Sequence, residues 1–327
     1  MYDFSSSPLL LRRSPGERPT RLISDLLLPF AIALFVPILV SLVPGLIATV
    51  ILGINALAPF MESAGYPAGG IDYEAFRAVS DAITGSAGYR LVTLFGGAWT
   101  VAITLFVCLT VQRRSLATIG IERRRAPLRY AVGFLLGALL CSASVLILCL
   151  SRAATFGGRS GDLGIFYLVF VFFGYLIRGA AEELLFHGLL LTSLARRFRW
   201  LSSVLFSALF FALMHAVNVG ATVLSLLNVF LFGVFLGLFV LRTGSVIGAA
   251  ALHAAWNYFE GHVFGCAVSG FPSATSIFSV ALDAGRETTN GGALGPEGGL
   301  AVTMILMIAL IAVLFLPAFK KKSLPTE

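Results

Sequence analysis

Apolar blocks long enough to cross a bilayer recur along this 327-residue chain, at about 22 to 53, 91 to 111, 130 to 150, 164 to 195, 201 to 218, 222 to 241, 244 to 264 and 299 to 317. A hydrocarbon core about 30 Å thick is crossed by roughly 20 apolar residues of helix. These blocks predict an all-α fold, a polytopic membrane helix bundle of about eight transmembrane helices. Composition agrees: 58% of the residues are hydrophobic and only 12% are charged, about half the charged share of a soluble domain. The four cysteines, Cys108, Cys141, Cys149 and Cys266, show no paired metal-ligand spacing and no disulfide framework.

The net charge of +7 comes from short basic clusters between apolar blocks, which is a topology signal and not a nucleic-acid face. If the 164 to 195 block crosses once rather than folding back as a hairpin, one side of the membrane collects Arg12, Arg13, Arg18 and Arg21. The same side takes Arg113, Arg114, Arg123, Arg124, Arg125 and Arg129, then Arg196, Arg197, Arg199, Arg242 and Lys320 to Lys322. Retention of Lys and Arg on the cytoplasmic side then puts both termini there. Short loops and an Arg/Ala/Gly-rich composition point to the inner, cytoplasmic membrane of a bacterium. The chain divides into a cytoplasmic segment 1–21, accessory helices 22–163, a core 164–264, an outer loop 265–298, and a last helix with a basic tail 299–327. The outer loops, rich in Gly, Ser and Thr near the end of the chain, do not read as folded enzyme domains.

Against this apolar background a few residues are out of place: Glu182, Glu183, His187, His215, His253 and Asn257. A charged side chain at mid-bilayer costs about 2.5 to 3.5 kcal/mol on insertion scales, so such residues point to function. At 1.5 Å per residue, Glu182 lies roughly 21 Å from Arg196, His215 roughly 22 Å from Trp200, and His253 roughly 16 Å from Arg242. Three helices thus deliver polar residues to similar depth. His253 and Asn257 share a helix face, and Glu260 follows on that stripe. Glu260 and His262 lie near the outer end of their span, where an interfacial position is expected. Asn228 reads as a helix–helix hydrogen bond. Small residues from Gly244 to Ala255, and Gly233 with Gly237, suit close helix packing.

A carboxylate and two imidazoles in an apolar cavity can activate water, with an imidazole and an amide donating to the developing oxyanion. The same atoms, Glu182, His215 and His253, offer a divalent metal such as zinc a ligand set, although HExxH is absent. Membrane Glu and His residues also build proton relays, but no internal repeat of the transporter kind is visible.

The strings EELLFHGLL (Glu182 to Leu190), FALMH (Phe211 to His215) and HAAWN (His253 to Asn257) resemble, in order, the EExxxR, FxxxH and HxxxN motifs of the CPBP family. That family is also called Abi, or CaaX protease and bacteriocin-processing proteins. The resemblance covers about 164 to 264. It implies an intramembrane endopeptidase of the metalloprotease class, with a cavity reached from the cytoplasmic side and a membrane-embedded or lipidated peptide as substrate. In a glutamate-dependent, metal-free scheme it makes Glu182 the general base, His215 its partner, and His253 with Asn257 the oxyanion donors, with Glu183 counted among the catalytic residues. The family's Arg is His187 here, four residues after Glu183. Arg178, four residues before Glu182, offers a replacement cation, and Phe211 is a packing residue. A catalytically inactive scaffold or bacteriocin self-immunity protein of the same fold is the alternative.

Overall fold

The 164 to 195 block is one continuous helix, so the hairpin alternative does not arise. The computed structural model describes residues 2–12, 21–29, 31, 32, 35, 39, 86–123, 125–160, 164–273 and 275–315. Within them the bundle is built from α1 (Ala87–Val111), α2 (Ala126–Leu150), α3 (Ile165–Leu194), α4 (Trp200–Met214), α5 (Val223–Thr243), α6 (Val246–Tyr258) and α7 (Leu300–Phe315). Of these, α1, α2, α3 and α5 are long and apolar enough to cross a membrane, while α4 and α7 are shorter apolar helices. The molecule is an integral membrane protein, helical for the most part. Leucines such as Leu128, Leu135, Leu139 and Leu146 stand exposed on the outer face of α2, as a lipid-facing helix requires. Most of the expected 22 to 53 span, the acidic stretch up to residue 85 and the basic tail lie outside the described residues.

Among the described residues the helical fold is joined by one pair of strands. Strands β1 (Ala154–Arg159) and β2 (Phe278–Leu282) pair antiparallel, with an irregularity between Phe156 and Gly158. The first reads ATFGGR, whose two glycines erase any alternation, and the pairing joins segments more than a hundred residues apart. Neither property leaves a local signal.

The described loops sort to two ends of the bundle. At the basic end, Arg12 donates to the carbonyls of Ala117 and Gly244, both at 3.0 Å, and Glu122 pairs with Arg12 and Arg129, each at 2.9 Å. Phe4 stacks on Trp200 there, and Arg242 donates to the Val313 carbonyl. The other end carries the β-pair and residues 264 to 299, folded back as a cap over the helix ends.

Glycines set how closely the helices approach. A Cβ on Gly133 would lie 2.0 Å from the Gly248 carbonyl oxygen, and one on Gly137 would lie 2.1 Å from that of Leu252, so α2 and α6 meet backbone to backbone. A Cβ on Gly179 would sit 2.8 Å from the Ala250 carbonyl oxygen. That approach fixes α3 against α6 one turn below Glu183, and with it the level at which Glu183 meets His253. Gly233 serves α5 in the same way against Ala208 of α4.

Candidate active site

Glu182 and Glu183 end the regular part of α3, and a π turn follows at Leu184–Leu190. Single π turns recur at functional sites, because the wider turn re-aims the residues around it. Here it carries His187, whose Nδ1 lies 2.6 Å from Glu183 Oε2. Glu183 Oε1 lies 2.9 Å from Nδ1 of His253. A carboxylate only accepts, so both rings carry a proton on Nδ1, and Glu183 bridges two imidazoles while wholly buried itself. Its place is behind the site, orienting His253. His187 Nε2 is buried and has no hydrogen-bond partner.

His215 follows the last residue of α4, a helix of 15 residues. Its Nδ1 donates to the Phe211 carbonyl at 2.7 Å. A carbonyl cannot donate, so the proton on this ring also sits on Nδ1, which leaves the Nε2 lone pair facing inward. The first residue of the FxxxH motif therefore acts twice. Its carbonyl sets the tautomer, and its ring packs against His215 at 4.7 Å and His253 at 5.9 Å between centroids.

Glu182 stands between these groups. One carboxylate oxygen is ion-paired with Arg178, the cation four residues earlier on the same helix. The other, Oε2, lies 4.0 Å from His215 Nε2 and 3.9 Å from His253 Nε2. Asn257 lies one turn beyond His253 and lines the adjoining cavity. The structure thus brings together Glu182, His215, His253 and Asn257, with Arg178, Glu183, His187 and Phe211 supporting them.

The donor set was tested for a metal. Zinc bonds of about 2.0 to 2.2 Å in tetrahedral geometry hold ligand atoms roughly 3.3 to 3.5 Å apart. The Glu182-to-imidazole separations are longer than that, and a guanidinium takes the second Glu182 oxygen. Among the described residues, no group of three His, Cys, Asp or Glu residues is placed to hold a metal ion. These residues do not fit a closed zinc site, and no step below is routed through one.

A small cavity opens beside the cluster. Its polar lining is His215, His253, Asn257, Asn228, Ser269 and Glu297, and aromatic and aliphatic side chains complete the wall. Sequence reasoning misses Glu297. It sits in the run GPEGG immediately before α7, and the one signal was a lone acid in a glycine-rich turn abutting an apolar helix. Its backbone is held on both sides: the N–H donates to Glu260 at 3.1 Å and the carbonyl accepts from Asn228 Nδ2 at 2.9 Å. Asn228 also accepts from Thr303 at 2.6 Å, so it ties α5 to both α7 and the cap.

Glu260 and His262, expected near the outer end of their span, are covered by protein rather than open to the surface, each 1% exposed. Glu260 accepts from Trp256 Nε1 at 3.2 Å, and His262 Nδ1 donates to the Thr275 carbonyl at 2.7 Å. The cap formed by 264 to 299 covers them, and its folding is not visible in its Gly/Ser/Thr composition.

A carboxylate, two imidazoles and an amide thus lie together inside the apolar helix bundle of an integral membrane protein. Residues 164–259 match the model of a family described as type II CAAX prenyl endopeptidase Rce1-like, in agreement with the CPBP resemblance of the three motifs. No curated protein matches the chain. At the level of the family, the match supports a CAAX-protease-type intramembrane endopeptidase.

Proposed function

We propose that the protein hydrolyses a peptide bond of a membrane-associated or lipidated peptide, using water activated by Glu182. The observation that carries this reading is the placement of Glu182 Oε2 at 4.0 and 3.9 Å from two imidazole Nε2 atoms, with its partner oxygen held by Arg178. Separations near 4 Å are too long for a direct hydrogen bond and suit a bridging water. Glu182 takes a proton from that water while the Nε2 lone pair of His215 orients it, and the oxygen attacks the carbonyl carbon. The oxyanion then faces Asn257 and His253. His253 donates from Nε2 once it is doubly protonated, and the Glu183 carboxylate against its Nδ1 stabilises that imidazolium. The apolar wall of Phe211, Phe232 and Trp256 keeps the reaction in a poorly hydrated space, where these interactions are strong.

The surroundings of His187 support compensation for the family's Arg. Glu183, which the family's Arg would pair with, has both oxygens engaged by imidazole N–H groups, and Arg178 supplies the cation on Glu182. That arrangement favours a working enzyme over an inactive scaffold. A farnesylated CAAX reporter peptide offered to the purified protein tests the reading, with and without a strong chelator. Cleavage is expected, unaffected by the chelator and abolished in His215→Ala and His253→Ala. Chelator-sensitive cleavage restored by zinc would refute the metal-free scheme. Cleavage unchanged in both His variants would refute the site.

A further inference from the structure

The cap that closes the cavity delivers a carboxyl group to it with more hydrogen bonding than a loop closure needs. Besides the two bonds that hold its backbone, Glu297 accepts the Ser269 N–H at 2.5 Å through one carboxyl oxygen. Ser269 makes that bond from φ +53°, left-handed backbone that non-glycine residues rarely adopt. Gly270 (φ +82°) follows it and is bonded to the Leu294 carbonyl at 2.8 Å. Three elements, α5 through Asn228, the end of α6 through Glu260 and the 268 to 271 turn through Ser269, therefore converge to place one side chain in a cavity shared with His215, His253 and Asn257.

The reaction proposed above contains a second proton transfer, to the departing amide nitrogen as its bond to carbon breaks. Glu182 holds the proton it took from water on its own side of the cluster, and the cavity adds a second carboxyl group, that of Glu297. We propose that Glu297 is the proton donor to the leaving nitrogen, a further catalytic residue contributed by the cap from across the cavity. This inference rests on the hydrolytic reading of the Glu182 site. The step balances as follows. Water gives a proton to Glu182 and its oxygen bonds to the carbonyl carbon, whose π electrons move to oxygen. As the carbonyl re-forms, the C–N bond breaks, its electron pair stays on nitrogen, and nitrogen takes the proton of the Glu297 carboxyl. Transfer from Glu182 through water to the Glu297 carboxylate restores both groups.

Burial keeps the Glu297 carboxyl above its ordinary pKa, against the lowering effect of the Ser269 hydrogen bond and the nearby His215 and His253. The titratable groups facing it are Glu260 and His253 from α6 and its extension and His215 after α4, with Tyr175 of α3 and Cys141 of α2 farther off. A raised carboxyl supplies a proton below its folded-state pKa and loses that ability as pH rises through it, so it belongs to the alkaline limb of the rate profile.

The test compares two substrates of one recognition element, a farnesylated CAAX peptide and an aryl ester of N-acetyl-S-farnesylcysteine, whose phenolate leaves without protonation. Glu297→Gln keeps the shape and the Ser269 bond but has no acidic proton. It is expected to lower kcat on the peptide about a hundredfold with KM little changed, to cleave the ester within a few-fold of wild type, and to lose the alkaline limb of the peptide profile. Equal losses on peptide and ester, or full peptide activity, would overturn the proposal. Glu297→Asp, which retains a proton, is expected to recover part of the peptide activity, and a thermal midpoint like that of wild type shows that each variant is folded. A folded Glu297→Asp no better than Glu297→Gln would count against the proposal. Failure of the underlying reading looks different: Glu182→Gln would then hydrolyse both substrates as wild type does, or wild type would hydrolyse neither.

Discussion

At the scale of single residues, the site is a set of protons assigned by hydrogen bonds. His215 is fixed by the Phe211 carbonyl and His253 by Glu183, so both present Nε2 to Glu182. Arg178→Ala removes the cation that holds one Glu182 oxygen, leaving the carboxylate free to rotate. Loss of about 1.4 kcal/mol of orientation corresponds to a tenfold fall in kcat/KM, measured on the reporter peptide. His187→Ala takes one of two donors from a wholly buried carboxylate. Breaking such a pair costs about 3 to 5 kcal/mol, read as a lowered thermal midpoint in detergent together with lost activity. His187→Arg restores a cation beside Glu183 and is expected to keep activity, which a direct comparison of initial rates checks. Gly237 lies alongside the ring, where its missing side chain leaves room.

At the scale of elements, the helices of the site are placed by residues that do no chemistry. Gly133→Leu would drive a side chain into the Gly248 carbonyl and separate α2 from α6, so a large loss of thermal stability is expected. Gly179→Leu would separate Glu183 from His253 and is expected to lose activity even where the protein still folds, a split visible by assaying soluble, monodisperse protein. At the basic end, burial raises the Glu122 pKa, but Arg129 and Arg12 outweigh it and hold it below its ordinary value. Its ion pairs therefore contribute above the unfolded-state value and are lost as pH falls through the folded one. The half-exposed setting keeps the effect small, and Glu122→Gln should flatten the acid limb of the thermal midpoint against pH. Much of the core was legible in the sequence. Helix periodicity and rise alone put Glu182, His215 and His253 at one level, because helices are local objects with a fixed pitch. The π turn, the β1–β2 pair and the cap were not legible. Each depends on contacts between distant segments, and so does Glu297, which chain position places only in a glycine-rich loop.

At the scale of the whole molecule, the cavity lies toward the cap, away from the end that gathers Arg12, Arg129 and Arg242. The described loops sort to two ends in the same groups that the Lys and Arg count gives them, so the positive-inside rule would make the basic end cytoplasmic. The family resemblance implies entry from the cytoplasm, and on this architecture the two expectations point to opposite ends. A single cysteine at exposed Gly285 in the cap, or at Arg197 at the basic end, in a background without the four native cysteines, decides between them. The charge rule predicts that an impermeant maleimide labels position 285 in intact cells and position 197 only after lysis; the reverse pattern would place the cavity end in the cytoplasm. Orientation decides which peptides reach the site, whereas the chemistry stands or falls on Glu182. The most direct measurement is the turnover of the farnesylated reporter by Glu182→Gln beside wild type, with the released peptide quantified by mass and equal thermal midpoints confirming the fold. The expected result is a fall of at least about a thousandfold, the loss when a general base worth roughly 4 kcal/mol is removed. Turnover within threefold of wild type would rule out Glu182 as that base.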